Sequence, residues 1–321
     1  MDGVEVDGIT SQLRAHAGKV IAEPSPISAN RDHCFAGVVP QGKGFVITDI
    51  EARVLLDDPA VDYARVVRRF LTGDDIASSP EQAPIRWIID FGSMPLEEAT
   101  RFPKALDILR TRVKPEREHS QNRAVERRWW LFGRRVEGMR RAVSAHPRYG
   151  AAASTSKRFT LAWMDSSVCP NNAVCVFAFD DDLSMGVLQS RAHVSWAWAR
   201  SSTLKGDLRY TSAAVFDTFA WSDPVDDVQR ERVAEGSRRL LARRTEICTA
   251  EQIGLTKLYN AVDEGAWTDL KALHLELDEA VADCYGWPKA VAQDDKELVR
   301  RLTDLNREIV EGGRAYAPFA D

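Results

Sequence analysis

The chain has 321 residues, 44% of them hydrophobic and 28% charged, with a formal net charge of −5 at pH 7. That balance belongs to a globular protein with a substantial core, in one large or two ordinary domains, and no apolar run approaches the ~18–20 residues that a membrane-spanning helix needs. The small net charge conceals an uneven spread: residues 101–158 hold 16 Lys and Arg against 5 Asp and Glu, which points to a local anionic partner and not to a chain that coats itself in nucleic acid.

The opening MDGVEVDGIT has neither the basic nor the apolar stretch of a secretory signal, so a cytoplasmic protein is expected. KVIAE and GFVIT read as short strands separated by turns at Gly37, Pro40, Gly42 and Gly44. DIEARVLL and AVDYARVVRRFL carry their apolar residues at helical spacing. PIRWIIDFG is a compact β-forming run closed by Gly92, a buried strand. PLEEATRF starts a helix with Pro95 and two acids in the first turn, and Pro103 bends or restarts it.

The basic segment follows. AVERRWWLFGRRVEGMRR sets two tryptophans among pairs of arginines. Val136, Met139 and Val143 fall at spacings of three and four, so residues 134–145 read as an amphipathic helix with arginines on its flanks. SKRFTLAWM and NNAVCVFAF read as strands, VLQSRAHVSWAWARSS as a short strand and then a helix N-capped by Ser190, and SAAVFDTFAW as another strand.

Asp223-Pro224 marks a domain boundary and a helix start. Beyond it the pattern is helical. One helix has Asp226 and Asp227 early and Arg243 and Arg244 late. A second carries Leu270, Leu273, Leu277, Ala280, Val281 and Cys284 on one apolar stripe and stops at Gly286 and Pro288. A last one, over 295–310, has Leu298, Leu302, Leu305 and Ile309 on one face. The expected fold is α+β: a mixed sheet with helices over residues 1–223, followed by an all-α domain over 224–321.

Catalytic motifs are scarce. There is no Walker A loop, no GxGxxG after a strand, no GxSxG, no HExxH, and no Asn/Asp-Pro-Pro-aromatic tetrapeptide of the kind that holds a target amine in amino-methyltransferases. His274-Leu275-Glu276 lacks the PCxxC that a deaminase zinc site requires, which leaves His274 on the flank of a packed helix. The five cysteines are scattered and odd in number, the pattern of reduced buried thiols. Asp180, Asp181 and Asp182 follow a strand and offer a Mg²⁺ site to a nuclease, but no Glu-x-Lys accompanies them, and a solvated turn is the preferred reading.

Arg127, Arg128, Arg134, Arg135, Arg140 and Arg141 are guanidinium forks suited to phosphate oxygens or guanine edges. The same composition also fits an exposed face paired with the acidic remainder of the chain, or a helix docking on an acidic protein partner. Trp129 and Trp130 are expected to pack the segment onto its domain ahead of stacking on bases.

The order of words along the chain separates these readings. PISANRDHCFAGVVPQGKGFVITDIEARVLL, RRFLTGDDI, WIIDFGSMPLEEATRFPKALDILRTRVKPERE, RRWWLFGRR, VLQSRAHVSWAWA and RYTSAAVFDTFAW, then LYNAVDEGAW, LHLELDEAVADCYGWP, LTDLNREI and YAPF, run from about residue 26 to 319. The series resembles the target-recognition domain and C-terminal helical domain of MmeI-like enzymes, fused type II restriction–modification proteins with nuclease, adenine methyltransferase and DNA-recognition parts. The nuclease and methyltransferase portions have no counterpart here, and Ala220 stands where such proteins commonly have proline.

The resemblance implies a sequence-specific double-stranded DNA recognition module that catalyses nothing by itself. It would present a site so that a methyltransferase domain, in cis or as a separate subunit and with or without a nuclease, methylates adenine N6. S-adenosylmethionine belongs to that domain and no cofactor is expected in this chain. Besides the six arginines, Lys157 and Arg158 are candidates to reach DNA, as are Ser190, Arg191 and His193 at a helix start. For Ser190 a plain N-cap, and for His193 a packing contact, are equally open.

Overall fold

The computed structural model describes residues 8–9, 15–16, 23–204, 206–222 and 226–319, with backbone alone at 8–9, 15–16 and 203–204. The expected strand KVIAE lies outside the described residues except for Glu23, and so do Asp223 and Pro224.

In the first part of the chain, β1 (Gly8–Ile9) and β2 (Ala15–His16) form a short antiparallel ladder, and β3 (Cys34–Ala36) and β4 (Val46–Ile47) follow. Of GFVIT only β4 is strand, because a 3-10 turn takes Lys43–Phe45. Helix α1 (Asp49–Leu56) has the bounds its sequence implies. Thr48 and Glu51 form a reciprocal capping box, with Glu51 Oε2 accepting from Thr48 N at 2.9 Å.

AVDYARVVRRFL is not a helix. A 3-10 turn covers Tyr63–Arg65, and β5 (Val67–Leu71) follows. Val66, Val67, Phe70 and Leu71 are buried, and the strand has a neighbour on each side, so sheet pairing of β-branched residues overrides the helical spacing. After α2 (Gly73–Ser78), β6 (Arg86–Ile89) pairs antiparallel with β5, with Arg69 opposite Trp87. Next come α3 (Leu96–Ala99), α4 (Pro103–Arg112), α5 (Lys114–Glu118), α6 (Arg123–Arg127) and α7 (Glu137–Ser144). Pro103 restarts the helix at its first turn, where its missing N–H costs nothing.

The centre of the chain supplies β7 (Arg148–Ala153), β8 (Thr155–Ser156), β9 (Leu161–Asp165), β10 (Cys169–Pro170) and β11 (Val174–Phe177). Two four-stranded sheets result. One has the order β10-β5-β6-β4 and is mixed, with β10 parallel to β5. The other has the order β3-β11-β7-β9 and is antiparallel.

Two further expectations fail here. VLQ is not strand but the end of α8 (Asp182–Gln189), which a kink at Ser190 joins to α9 (Arg191–Arg200). Asp181 caps α8, and residues 184–189 are all buried; a continuous apolar run of that length carries no period to tell helix from strand. After the hairpin β12 (Ser202–Leu204) and β13 (Asp207–Arg209), SAAVFDTFAW forms a π-turn at Ser212–Phe216 and then irregular chain. Its carbonyls are met from outside a sheet: Asn30 Nδ2 donates to Phe216 O at 2.9 Å and to Phe219 O at 2.7 Å. Phe216, Phe219 and Trp221 thereby converge in one aromatic cluster with Phe179 instead of alternating across a strand.

Helices α10 (Asp227–Glu251), α11 (Leu255–Asp263), α12 (Thr268–Cys284) and α13 (Asp295–Val310) complete the chain. The N-cap of α10 is Asp226, whose carboxylate accepts from Gln229 N at 2.8 Å. Leu298 and Leu302 of α13 are buried, as is the α12 stripe except Leu273, which is half-buried. The fold is thus α+β with a helical C-terminal region. No helix among the described residues is long and apolar enough to cross a membrane, and all five cysteines are buried free thiols.

Candidate nucleic-acid interface

The basic segment is held from beneath. Trp129, Trp130, Leu131 and Phe132 are buried in succession, so the chain between α6 and α7 is a loop and not a continued helix. Trp130 Nε1 donates to Met94 O at 2.9 Å, Phe132 sits edge-on to Phe45 at 5.1 Å, and the two tryptophans meet edge to face. Both rings are packing residues, as their sequence setting suggests.

The loop closes on Arg117 of α5. Its guanidinium donates to the carbonyls of Arg128 and Trp129 at 3.3 and 3.1 Å and also to that of Leu131, while its other terminal nitrogen reaches Pro40 O at 2.7 Å and Gln41 O at 3.2 Å. Burial lowers its pKa to about 10. Five carbonyl dipoles stand in for a carboxylate partner, which is how a buried cation is tolerated here. An antiparallel bridge between Val39 and Arg134 pins the far end of the loop, with N–O distances of 2.9 and 3.0 Å.

With the apolar residues and Arg117 facing in, Arg127, Arg128, Arg134 and Arg141 are exposed. Arg135 is half-buried and lies 3.4 Å from Glu137. The expected helix over 134–145 begins only at Glu137, because Arg134 is spent on the bridge and Val136 takes a left-handed φ of 53°.

Arg140 departs from its expected role. It turns inward onto buried Asp90 through hydrogen bonds of 2.7 and 3.2 Å, and its Nε donates to Arg135 O at 2.8 Å. It is a bracket for the segment and not a free surface fork.

Lys157 is exposed. Arg158 is ion-paired with Asp263 of α11 and lies over the Tyr259 ring. The helix start at Ser190 is closed to solvent. Ser190 is fully buried, and its hydroxyl donates backwards to Val187 O at 2.8 Å instead of capping α9. Arg191 N donates to Asp278 at 2.7 Å, and its side chain binds Asp295 and Gln293, each at 2.8 Å. His193 is fully buried. Leu188 O can only accept, so Nδ1 carries the proton at 2.9 Å and Nε2 accepts from Tyr210 OH at 3.1 Å. Burial pushes this imidazole down to about 3, so it is neutral at pH 7. Ser190 and His193 are therefore interior residues, and Arg191 joins α9 to α12 and α13.

Asp180, Asp181 and Asp182 have three separate employments. Asp180 meets His146 at 3.2 Å, Asp181 caps α8 through Ser184 N at 2.7 Å, and Asp182 pairs with Arg148 at 3.0 Å and Arg238 at 3.3 Å. Among the described residues no group of His, Cys, Asp or Glu forms a metal-ligand set. His274 accepts or donates to Tyr259 OH at 2.8 Å within its helix packing. Sequence reasoning missed Arg117 and Asp90. Nothing local in KPERE marks its arginine as buried, and the end of a buried strand gives no sign that its aspartate will hold an arginine fifty residues on.

A family model of the MmeI target recognition domain matches residues 16–223. Among solved structures, the chain superposes with a TM-score of 0.71 and 20% identity on the type IIL restriction–modification enzyme MmeI in complex with DNA, over 96% of this chain and 39% of that one. The type IIG restriction endonuclease BpuSI matches with a TM-score of 0.37 and 16% identity, over 81% of this chain and 31% of that one. No curated protein matches. The chain thus spans less than half the length of either solved relative, and by the match over its first two-thirds it belongs to the MmeI target recognition domain family.

Proposed function

We propose that this chain is the sequence-specific double-stranded DNA recognition module of a type II restriction–modification system. The observation that carries this is the outward set of Arg127, Arg128, Arg134 and Arg141, braced from below by Arg117 and Trp130. Exposed guanidiniums on a braced segment suit the phosphate rails of a duplex, where each contact releases counterions and fixes position. Half-buried Arg135 lies in the same segment, and exposed Lys157 is a separate candidate beside α11. Membership in the MmeI target recognition family, and the DNA in the MmeI structure, support duplex DNA over an acidic protein as the partner.

In this reading the chain positions a site for an N6-adenine methyltransferase domain, supplied in cis or by a separate subunit, and a nuclease domain accompanies it in systems that also cleave. S-adenosylmethionine is the cofactor of that domain. The work takes place in the cytoplasm, where the DNA is. Asp180–Asp182 do not favour an autonomous nuclease, since Asp181 caps a helix, Asp182 is ion-paired with two arginines and Asp180 lies against His146.

The test is fluorescence anisotropy of a labelled duplex across a salt series. Replacing Arg127, Arg128 and Arg134 with glutamine should weaken binding to all sequences alike and lower the slope of log K against log salt by up to about 0.9 for each lost phosphate contact. An unchanged slope would remove these residues from the DNA.

A further inference from the structure

A second basic feature shares Arg140 and Arg141 with the segment already described and adds Arg68, which the sequence did not single out. Between β5, α7 and β10 is a hollow of about 320 Å³, lined among others by Arg68, Arg140, Arg141, Glu137, Ser144 and Ser166. Its charges do not balance. Three guanidiniums face Glu137 and, beneath them, Asp90. Glu137 also lies 3.4 Å from Arg135, and Arg140 holds Asp90 by both terminal nitrogens. Arg68 has only a long ion pair with Asp90. Its Nε lies 3.9 Å from Asp90 Oδ2, too far for a hydrogen bond; this one covered N–H has no hydrogen-bond partner, while the side chain as a whole is 36% exposed.

An unmade hydrogen bond on a covered N–H of a charged group carries a cost, lessened here by the part of the side chain that meets water, and three like charges around one hollow add to it. One group relieves both at once: an oxyanion seated in the hollow. Arginine forks match the geometry of phosphate oxygens, and the volume is at the small end of ligand pockets.

We propose that this hollow is a seat for one phosphate group, with Arg68 and Arg141 as its ligands and Arg140, fixed by Asp90, as its wall. The phosphate is either a backbone phosphodiester of bound DNA or that of a free phosphate-bearing molecule. Only the first source rests on the DNA-binding reading above.

Two measurements decide it. The first is an NMR titration of the whole chain, ¹⁵N-labelled at arginine, with inorganic phosphate at constant ionic strength. The Arg68 Nε–H signal should move downfield and saturate, and Arg141→Gln should weaken phosphate about tenfold, the loss expected for one charge-assisted hydrogen bond. Arg141 is exposed, so this variant folds even if Arg68→Gln does not. The second is the salt slope for a mixed-sequence duplex, which Arg68→Gln should lower by about 0.9 if the seat takes a DNA phosphate.

A saturable shift with a lowered slope assigns the seat to DNA. A saturable shift with an unchanged slope assigns it to a free phosphate ligand. Absence of a saturable shift overturns the proposal whatever the slope. Arg127→Gln, outside the hollow, reports DNA contact separately, so failure of the seat and failure of the DNA-binding reading can be told apart.

Discussion

Arg140 meets Asp90 end-on, through hydrogen bonds of 2.7 and 3.2 Å, with the Asp90 side chain 1% exposed and that of Arg140 20%. Asp90 also accepts from Gly92 N at 2.9 Å. Removing the arginine would leave a buried carboxylate with one backbone donor, the weak Cys169 thiol donor at 3.9 Å and a guanidinium 3.9 Å away. Arg140→Ala should therefore cost about 3 kcal/mol in urea unfolding, the usual penalty for breaking a buried pair. The neighbouring Arg141→Ala, on the surface, should change stability by less than about 0.5 kcal/mol. Equal effects would show that Arg140 is not a bracket.

Arg117 bridges the loop over 128–131 and the turn at Pro40 and Gln41 with one planar fork. A lysine has a single nitrogen and cannot span both groups of carbonyls. Arg117→Lys should lose about 1–3 kcal/mol, since each buried acceptor left unmet carries a cost. Hydrogen exchange should accelerate at residues 128–134 before it does so in β7 or β11. Uniform acceleration would mean that the loop is held by its aromatic packing alone.

The buried titratable groups set an acid limit. Burial holds His193 at about 3 and His274 at about 4, against 6.5 for a free imidazole. Below pH 6.5 the unfolded chain takes up two protons that the folded one refuses, so the stability present above 6.5 is lost as pH falls. Asp278 opposes this. Burial raises it from 3.8 to about 6, so below pH 6 the folded chain gains a proton that the unfolded one does not. The balance between pH 6 and 4.5 is one proton, or a loss of about 1.4 kcal/mol per pH unit. Urea midpoints at pH 7, 6 and 5 should fall accordingly; a flat profile would mean that these imidazoles charge inside the fold.

Gly254 opens α11 against α2. A Cβ there would stand 2.4 Å from the carbonyl carbon and oxygen of Ser78. Neither partner is a movable side chain end, so the two helices must separate. Gly254→Ala should cost about 1–3 kcal/mol, the range for forced overpacking, and lower the melting temperature measured by circular dichroism. An unchanged melting temperature would place α11 farther from α2.

What the sequence disclosed depended on how far apart the deciding residues lie. Helix α1 was legible to the residue because its cap, Thr48 with Glu51, and its apolar spacing are local. The stripes of α12 and α13 were legible for the same reason. VVRRFL was not, since its apolar residues fit a helix equally well and only the neighbours β6 and β10 select the strand.

The candidate surface shows the same division. An excess of arginine over 101–158 is a matter of counting, but the direction of each side chain is not. Arg140 and Arg141 are adjacent and alike, and an aspartate fifty residues earlier turns one of them inward. His193 was ambiguous because its burial comes from Phe159, Tyr210 and Phe219, none of which is its neighbour in sequence.

The way the terminal helices are sewn to the rest bears on any attempt to replace part of this chain. Gly186 of α8 lets Val233 of α10 approach so closely that a methyl group would collide with it. Asn306 of α13 binds both backbone groups of Ser25 and the carbonyl of Thr218, and Arg191 is shared with α12 and α13. A chimera that imports only the portion ahead of α10 from a relative would set foreign side chains along this entire suture. Grafts should therefore keep their fold when both halves travel from one donor as a single cassette.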